Sequence, residues 1–321
     1  MQTVEAITTT DFEFPGQAAL YHGKVRDVYD LGDKLVMIAT DRISAFDVIL
    51  PRAIPYKGQV LNQLAAHFLA ATEDIVPNWL RATPDPNAAV GIKAEPFKIE
   101  LVIRGALVGY SWRAYQSGER TLCGEMMSEG LSEFDSFPEP LITPSTKADA
   151  GHDEDITHAA VVEQGLATPA DWQQLCAYTR ALFKRGQDLA AERGLFLADT
   201  KYEFGKLPNG EIILIDEIHT PDSSRYFYAD SYAAYTEGAK TEAPRHLSKE
   251  FVREWLMKGG FNGHNGQAVP VMTDEFVQSV SDRYIELYEQ LTGRQFERRD
   301  YSDINPAIQN AVKAYLETTK S

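Results

Sequence analysis

Five charged side chains fall in two short stretches: Asp199, Lys201 and Glu203 at alternate positions of Leu197–Gly205, and Asp216-Glu217 at the end of an apolar run. Asn209-Gly210 between them is the strongest short signal for a β-hairpin. With Asn209 and Gly210 as the two loop residues, Pro208 pairs with Glu211 and Glu203 faces Asp216. Alternation then puts Asp199, Lys201 and Glu203 on one face and Ala198, Thr200, Tyr202 and Phe204 on the other. Two facing carboxylates repel unless a cation lies between them. A hard divalent ion with oxygen ligands, such as Mg²⁺ carrying nucleotide phosphates, suits that position. The same pattern also describes the solvated face of an edge hairpin.

Three further groups have chemistry of their own. In His22-Gly23-Lys24-Val25-Arg26 a glycine at a strand end lets backbone approach a phosphate, with Lys24 and Arg26 projecting to one face; an ordinary basic strand edge reads the same way. Pro221-Asp222-Ser223-Ser224-Arg225 joins turn residues to an arginine fork for a carboxylate or phosphate, or is a capped surface turn. Arg104 closes an apolar strand and either faces a cleft or emerges into solvent. Ser44 and Asp47 in Asp41–Asp47, and Lys147 with His152 in Thr146–Glu154, lie in polar runs too generic to interpret alone, and His152 reads as a solvent-side loop residue.

These groups need elements to position them. Ala18–Leu31 and Lys34–Thr40 read as strands of a hairpin turning at Gly32-Asp33. Apolar residues at helical spacing predict a helix over Val60–Ala71. Ala82–Ala89, with Pro84 and Pro86, reads as loop. Val90–Ala94 and Lys98–Arg104 read as strands broken at Glu95-Pro96, a candidate boundary between domains 1–97 and 98–321. Thr168 as N-cap and Pro169 at N1 open a helix that Gly194 stops. Leu195–Phe204 and Ile212–Ile218 read as strands, and helices follow from near Ser248, Thr273 and Asn305. Strands first and helices later predict an α+β fold.

Composition limits the function. The chain has 321 residues, 31 Lys+Arg against 47 Asp+Glu and a net charge of −16, which argues against a nucleic-acid or anionic-membrane binder. Cys123 and Cys176 are too few for a disulfide framework or a four-ligand zinc site and read as inert thiols. Met1–Pro15 lacks the basic, then apolar, pattern of a secretory signal, and no apolar run approaches the ~20 residues of a membrane span. A soluble, cytoplasmic protein is expected. There is no P-loop, GxGxxG, GxSxG or HExxH motif. The glycines Gly259, Gly260, Gly263 and Gly266 have the wrong spacing for a dinucleotide loop and read as turn residues.

Seven stretches together resemble one family, the SAICAR synthetases (phosphoribosylaminoimidazole-succinocarboxamide synthases) of purine biosynthesis, in the longer form. They are GKVRDVYDL from Gly23, DRISAFDVILP from Asp41, KGQVLNQL from Lys57, KAEPFKIELVIRG from Lys93, ITPSTKADAGHDEDI from Ile142, LADTKYEFG from Leu197 and LIDEIHTPDSSR from Leu214, in the family's order over about 200 residues.

The resemblance implies a kinase-like antiparallel N-lobe, an α+β lobe related to ATP-grasp enzymes with extra C-terminal helices, and ATP in the cleft between them. It implies an ADP-forming ligase that joins L-aspartate to the carboxylate of carboxyaminoimidazole ribotide (CAIR) with ATP and Mg²⁺. Gly23, Lys24 and Arg26 would cover the ATP phosphates, and Lys93, Ala94 and Glu95 would run along adenine. Glu203 and Asp216 would hold Mg²⁺; Asp199 and Lys201, with Lys24, would act on the reacting groups. Arg104, Lys147, Ser224 and Arg225 would hold CAIR, with Ser44 and Asp47 nearby. One stretch departs from the pattern: where the family has an aromatic and then Gly-Ser, this chain has Ala106 and Gly109-Tyr110-Ser111, so the serine for the ribotide phosphate is replaced by Tyr110 or displaced to Ser111. Two other classes share parts of this pattern. A kinase-like small-molecule phosphotransferase would need His-Arg-Asp and Asp-Phe-Gly motifs, which are missing; a non-catalytic nucleotide-binding regulatory module would keep ATP binding without turnover.

Overall fold

The computed structural model describes residues 6–147, 154–239, 242–264 and 266–319. The chain forms two compact units. The first comprises residues 1–67, 79–93 and 249–321, the second 68–78 and 94–248. The division therefore differs from 1–97 and 98–321: the C-terminal helices are part of the first unit.

The first unit carries strands β1 (Ala19–His22), β2 (Arg26–Asp30), β3 (Lys34–Ala39), β4 (Ser44–Ala45) and β5 (Val48–Ile49), the start of helix α1 (Lys57–Ala71), and strands β6 (Leu80–Asp85) and β7 (Ala88–Ile92). Five of them form an antiparallel sheet in the order β1-β2-β3-β7-β6. Two expectations change. The single strand over Ala18–Leu31 is broken by a turn at 23–25, closed by Gly23 N–H donating to the Arg26 carbonyl at 2.8 Å. The region 82–89 is a hairpin rather than a loop. Pro84 is tolerated there because β6 lies at the sheet edge, where a missing N–H leaves no ladder partner short.

The second unit continues with β8 (Glu95–Pro96), β9 (Ile99–Ala106), α2 (Gly109–Gln116), β10 (Thr121–Leu122), β11 (Glu125–Met126), β12 (Ser136–Thr146), α3 (His158–Glu163), α4 (Pro169–Ala191), β13 (Leu195–Lys206), β14 (Ile212–Ile215), β15 (Ser224–Tyr228) and α5 (Ala229–Ala234). The chain then returns to the first unit with α6 (Glu250–Lys258), α7 (Asp274–Thr292) and α8 (Ile304–Thr318). The fold is α+β, as expected.

Period-two and period-3.6 patterns meet in the first core. Tyr29, Val36, Ile38, Ala88 and Val90 point from one face of the sheet into a cluster completed by Ile304, Ile308, Val312 and Leu316 of α8. Those four recur every fourth residue, so they form one stripe along the helix. Complete burial of an aliphatic side chain such as Ile308 contributes roughly 1.5–3 kcal/mol. In the second unit α4 opens as expected: the Thr168 hydroxyl accepts from Asp171 N–H at 3.1 Å. Its buried Leu182, Phe183, Gly186 and Ala190 form the inner face of the helix.

The longest strand, β13, is central. It pairs with β9, β14, β15 and β8, so it is no edge hairpin. Ala198, Tyr202 and Phe204 are fully buried on one face. The other face presents Asp199, Lys201 and Glu203.

Candidate active site

The β13–β14 turn does not have the expected register. Leu207 N–H donates to the Glu211 carbonyl at 2.9 Å and Gly210 N–H to the Leu207 carbonyl at 2.8 Å. The loop is therefore Pro208-Asn209-Gly210, with Gly210 at φ 89°, a three-residue turn ending in a left-handed glycine. The extra loop residue moves the ladder by one, so Glu203 faces Ile215. Asp216 lies just beyond β14 with φ 60°. That left-handed step breaks strand alternation, and its charge acts on both Lys147 and Lys201. The two acids thus converge on the same ammonium groups, by a different route from direct pairing.

The acid beside Glu203 on the neighbouring strand is Glu100. The β13–β9 register pairs Tyr202 with Leu101, and one step further brings Glu100 level with Glu203. Lys201 Nζ sits between them, 2.8 Å from Glu100 Oε1 and 2.6 Å from Glu203 Oε1. Lys147, at the end of β12, ion-pairs with the second Glu203 oxygen. Burial alone would raise the Glu203 carboxyl, but Lys201 and Lys147 outweigh it and hold the group far below the usual carboxylate range. Burial would likewise lower Lys201, and Glu203, Glu100 and Asp216 outweigh it and push it well above the ordinary lysine value. Lys201, Glu203 and Lys147 of this row are thus held charged.

Beside it lies an arginine pair. Arg225 ion-pairs with Asp199, and Arg104 Nη1 lies 3.6 Å from the same carboxylate oxygen. Arg104 Nε donates to Thr143 Oγ1 at 3.0 Å, and its guanidinium lies 5.5 Å from the Tyr110 ring centroid. Tyr110 donates to Asp155 Oδ2 at 2.7 Å. Gly109 is needed here: at φ 56°, a Cβ would come 2.2 Å from Arg225 Nη2. The Ser224 hydroxyl is buried, 2.7 Å from that of Thr200. Ser111 is a correction. It is fully buried, and its hydroxyl donates to the Val108 carbonyl at 2.9 Å while accepting from Val108 N–H at 3.3 Å. It caps α2 and has no surface to offer a ligand.

The remaining residues lie mostly in the first unit. Gly23, Lys24 and Arg26 are not on one strand face. Gly23 and Lys24 form the β1–β2 turn and Arg26 begins β2. Lys24 ion-pairs with Asp47, which follows Phe46 in a β4–β5 turn; both turn residues are left-handed, at φ 53° and 61°. Ser44, paired with Ile49, opens that hairpin. Lys93 Nζ lies 2.6 Å from Asp30 and ends the first unit's middle segment; Ala94 and Glu95 begin the second unit's longer segment. The run 148–153, with His152, lies outside the described residues.

Sequence reasoning missed Glu100 and Arg42. Glu100 is identified only by the pairing of β9 with β13, about a hundred positions apart. Arg42 ties down the β1–β2 turn: its guanidinium donates to the carbonyls of Gly23 at 2.9 Å and Lys24 at 3.2 Å, and to Asp27 at 2.7 Å. Nothing in its local spacing signals this. Cys123 and Cys176 are both free, and burial pushes their thiols up to about 12 and about 11, in keeping with inert thiols. Among the described residues no helix is long and apolar enough to cross a membrane, and no group of three or more His, Cys, Asp or Glu is placed to hold a metal ion.

The fold and this charged face of β13 are those of a ligase-type enzyme. A SAICAR synthetase family model matches residues 19–292. The chain is 59% identical over 315 residues to the phosphoribosylaminoimidazole-succinocarboxamide synthase of Bacteroides thetaiotaomicron, covering 98% of this chain and 99% of that one. It is 58% identical to the enzyme of the same name from Cytophaga hutchinsonii, covering 97% and 100%. Among solved structures it resembles the SAICAR synthase of Saccharomyces cerevisiae complexed with SAICAR, with a TM-score of 0.75 at 32% identity over 90% of this chain and 100% of that chain. The chain belongs to the SAICAR synthetase family.

Proposed function

We propose that this enzyme joins L-aspartate to the carboxylate of CAIR, forming SAICAR, ADP and phosphate at the expense of ATP. The observation that carries the reading is Lys201 held between Glu100 and Glu203, beside an Asp199-anchored arginine pair. Such a surface offers oxygen ligands for a hard cation and guanidinium forks for an anion within one sheet face. The relatives' shared name and the SAICAR bound to the yeast protein support the same substrate class.

The donor set fits Mg²⁺. Glu203 and Asp216 supply two carboxylates beside Lys147 and Lys201. Mg²⁺ is commonly held by one or two carboxylates together with substrate phosphates rather than by a closed protein cage. Glu203 and Asp216 would hold it, and when bound it would neutralise charge on the triphosphate. Were Glu203 to hold the cation, Glu100 would leave Lys201 a second partner.

A carboxylate is a poor electrophile, so amide formation needs one of its oxygens converted into a leaving group. Phosphoryl transfer to CAIR would give an acyl phosphate, and the aspartate amine would displace phosphate. Both reactants are anions, and Lys24, Lys147 and Lys201 would offset their repulsion. Gly23, Lys24 and Arg26 are assigned to the ATP phosphates, and Lys93, Ala94 and Glu95 to the adenine side. Arg104, Arg225 and Ser224 are assigned to the ribotide. Tyr110 takes the family serine's position and gives the ribotide site a phenol instead. Asp199 is engaged by two guanidiniums, which suits orienting them better than removing a proton.

The test is phosphate release with ATP, Mg²⁺, CAIR and aspartate, each omitted in turn. Release that needs all four supports the ligase. ADP formation without aspartate and without free phosphate would point to a phosphotransferase, and neither product under any condition to a non-catalytic module.

A further inference from the structure

The glycine-rich loop after α6 has no place in the chemistry above, yet it is built against the β4–β5 turn, whose Asp47 pairs with Lys24. Phe261 is buried and its N–H donates to the Leu256 carbonyl at 2.9 Å, fixing the loop to α6. Its ring stands edge-on to Phe46, centroids 6.4 Å apart. Gly263 lies so close to Phe46 that a Cβ would meet the Phe46 Cβ at 2.7 Å and its carbonyl oxygen at 2.9 Å. The chain that follows Phe46 is held by the same C-terminal region. Arg52 donates to the Met272 carbonyl at 2.7 Å and pairs with Asp274 at 2.7 Å, and Ser281 donates to the Pro55 carbonyl at 2.7 Å.

Phe46 and Asp47 need such support. Both are left-handed without being glycine, a conformation L-residues adopt rarely and a bulky side chain more rarely still. The pair that depends on this turn, Lys24 with Asp47, is exposed on both sides. An exposed ion pair contributes little by itself and does not hold a backbone in an unfavourable form. The two-residue β4–β5 hairpin turn calls for this conformation, and contacts on Phe46 from elsewhere add to what holds a bulky residue in it.

We infer that the loop 259–264 is a positioning element for the nucleotide site: seated on Phe46, it keeps the Phe46–Asp47 turn in its left-handed form and thereby keeps Lys24 in place for a triphosphate. This rests on the reading of Lys24 as a phosphate ligand. It gives the C-terminal helices of the longer chain a task in nucleotide binding, carried through Phe46 rather than by direct contact.

The test is ADP binding by titration calorimetry, with Mg²⁺ present, to the full-length chain and four variants. Gly263→Ala places a methyl group against Phe46. Gly260→Ala imposes similar backbone strain in the same loop (φ 81°) but meets open space. Phe261→Leu loosens the ring contact without a steric clash, and covers the case in which Gly263→Ala does not fold. Lys24→Ala reports on the underlying reading.

Gly263→Ala is expected to weaken ADP about tenfold or more, the scale of a misplaced binding group, and Phe261→Leu to weaken it less. Gly260→Ala should bind as the parent does. The KM for ATP should rise with that for aspartate unchanged, and Asp47→Asn added to Gly263→Ala should cost little more. Parent-like ADP binding by Gly263→Ala and Phe261→Leu, or an equal loss in Gly260→Ala, overturns the inference while leaving the Lys24 reading intact. Parent-like binding by Lys24→Ala overturns the Lys24 reading, and the inference with it.

Discussion

Asp216 acts on Lys201 from one residue beyond the strand that pairs with Glu203's own, through a left-handed backbone step at φ 60°. Direct pairing would have given the same convergence with a flat ladder. Here a three-residue turn shifts the register and a local twist compensates.

Asp216→Asn keeps the side-chain volume, and Asn tolerates the left-handed conformation as well as Asp does. The fold should therefore survive while the charge is lost. Turnover should fall by at least ~10²-fold, the scale of removing one preorganised electrostatic element. Phosphate release with all substrates present measures this, and near-parental release would remove Asp216 from the metal site.

Lys201→Met leaves Glu100 and Glu203 level with one another and without the cation between them. Breaking a buried ion pair from one side costs about 3–5 kcal/mol. Without Lys201 the Glu203 carboxyl loses its strongest stabilising charge, so protonation should relieve the repulsion. Urea unfolding should show a large loss at pH 7 that shrinks toward pH 5. A pH-independent loss would mean that lost packing, not charge, is responsible.

Gly109→Ala drives a Cβ into the Arg225 guanidinium and should displace Arg225 from Asp199. The KM for CAIR is expected to rise about tenfold or more, the scale of such a misplacement, with that for ATP unchanged. Initial rates with one substrate varied at a time distinguish the two. An equal rise in both would put Arg225 outside the ribotide site.

Two buried groups give opposite pH signatures. Burial lowers His219 from the usual 6.5 to about 3, in a site where its Nε2 lies 2.6 Å from the Tyr202 hydroxyl. Below pH 6.5 the unfolded chain binds a proton there that the folded chain refuses, so this term loses stability as pH falls toward 3. Burial raises Asp41 from 3.8 to about 6 despite donors from Gly58 and Ile7. The folded chain takes up that proton first, so this term gains stability as pH falls from 6 to 3.8. Each amounts to about 1.4 kcal/mol per pH unit inside its window. Between pH 4 and 6, His219→Gln should therefore shift the slope of stability against pH downward and Asp41→Asn upward. Chemical denaturation at pH 4, 5 and 6 checks the signs, and parallel slopes for parent and variants would show that neither group titrates as stated.

Local signals in the chain were sufficient for much of the architecture. Thr168-Pro169 marks the start of α4, the fourfold spacing of Ile304, Ile308, Val312 and Leu316 marks a helix with one buried stripe, and alternation along Leu197–Gly205 separates the charged face of β13 from the packed one. Each depends on residues within one or two turns of each other. Alternation also placed Asp199, Lys201 and Glu203 together correctly, because β13 is regular from Asp199 onward.

What local pattern left open was everything set by a neighbour distant in the chain. Whether β13 was an edge or a centre depended on β9, β14, β15 and β8 pairing with it. Glu100 acquires meaning only when β9 brings it beside Lys201, and Arg42 only when the β1–β2 turn folds onto its guanidinium. Ser111 looked like a ligand until the start of α2 engaged its hydroxyl. The sequence by itself determined most of the element types, the α+β class and many of the residues with chemistry to offer, because propensity and periodicity act over a few residues. Tertiary structure alone decided the register at Glu203, the second acid at Lys201 and the place of the C-terminal helices, because ladder pairing and burial depend on contacts that no short window of sequence contains.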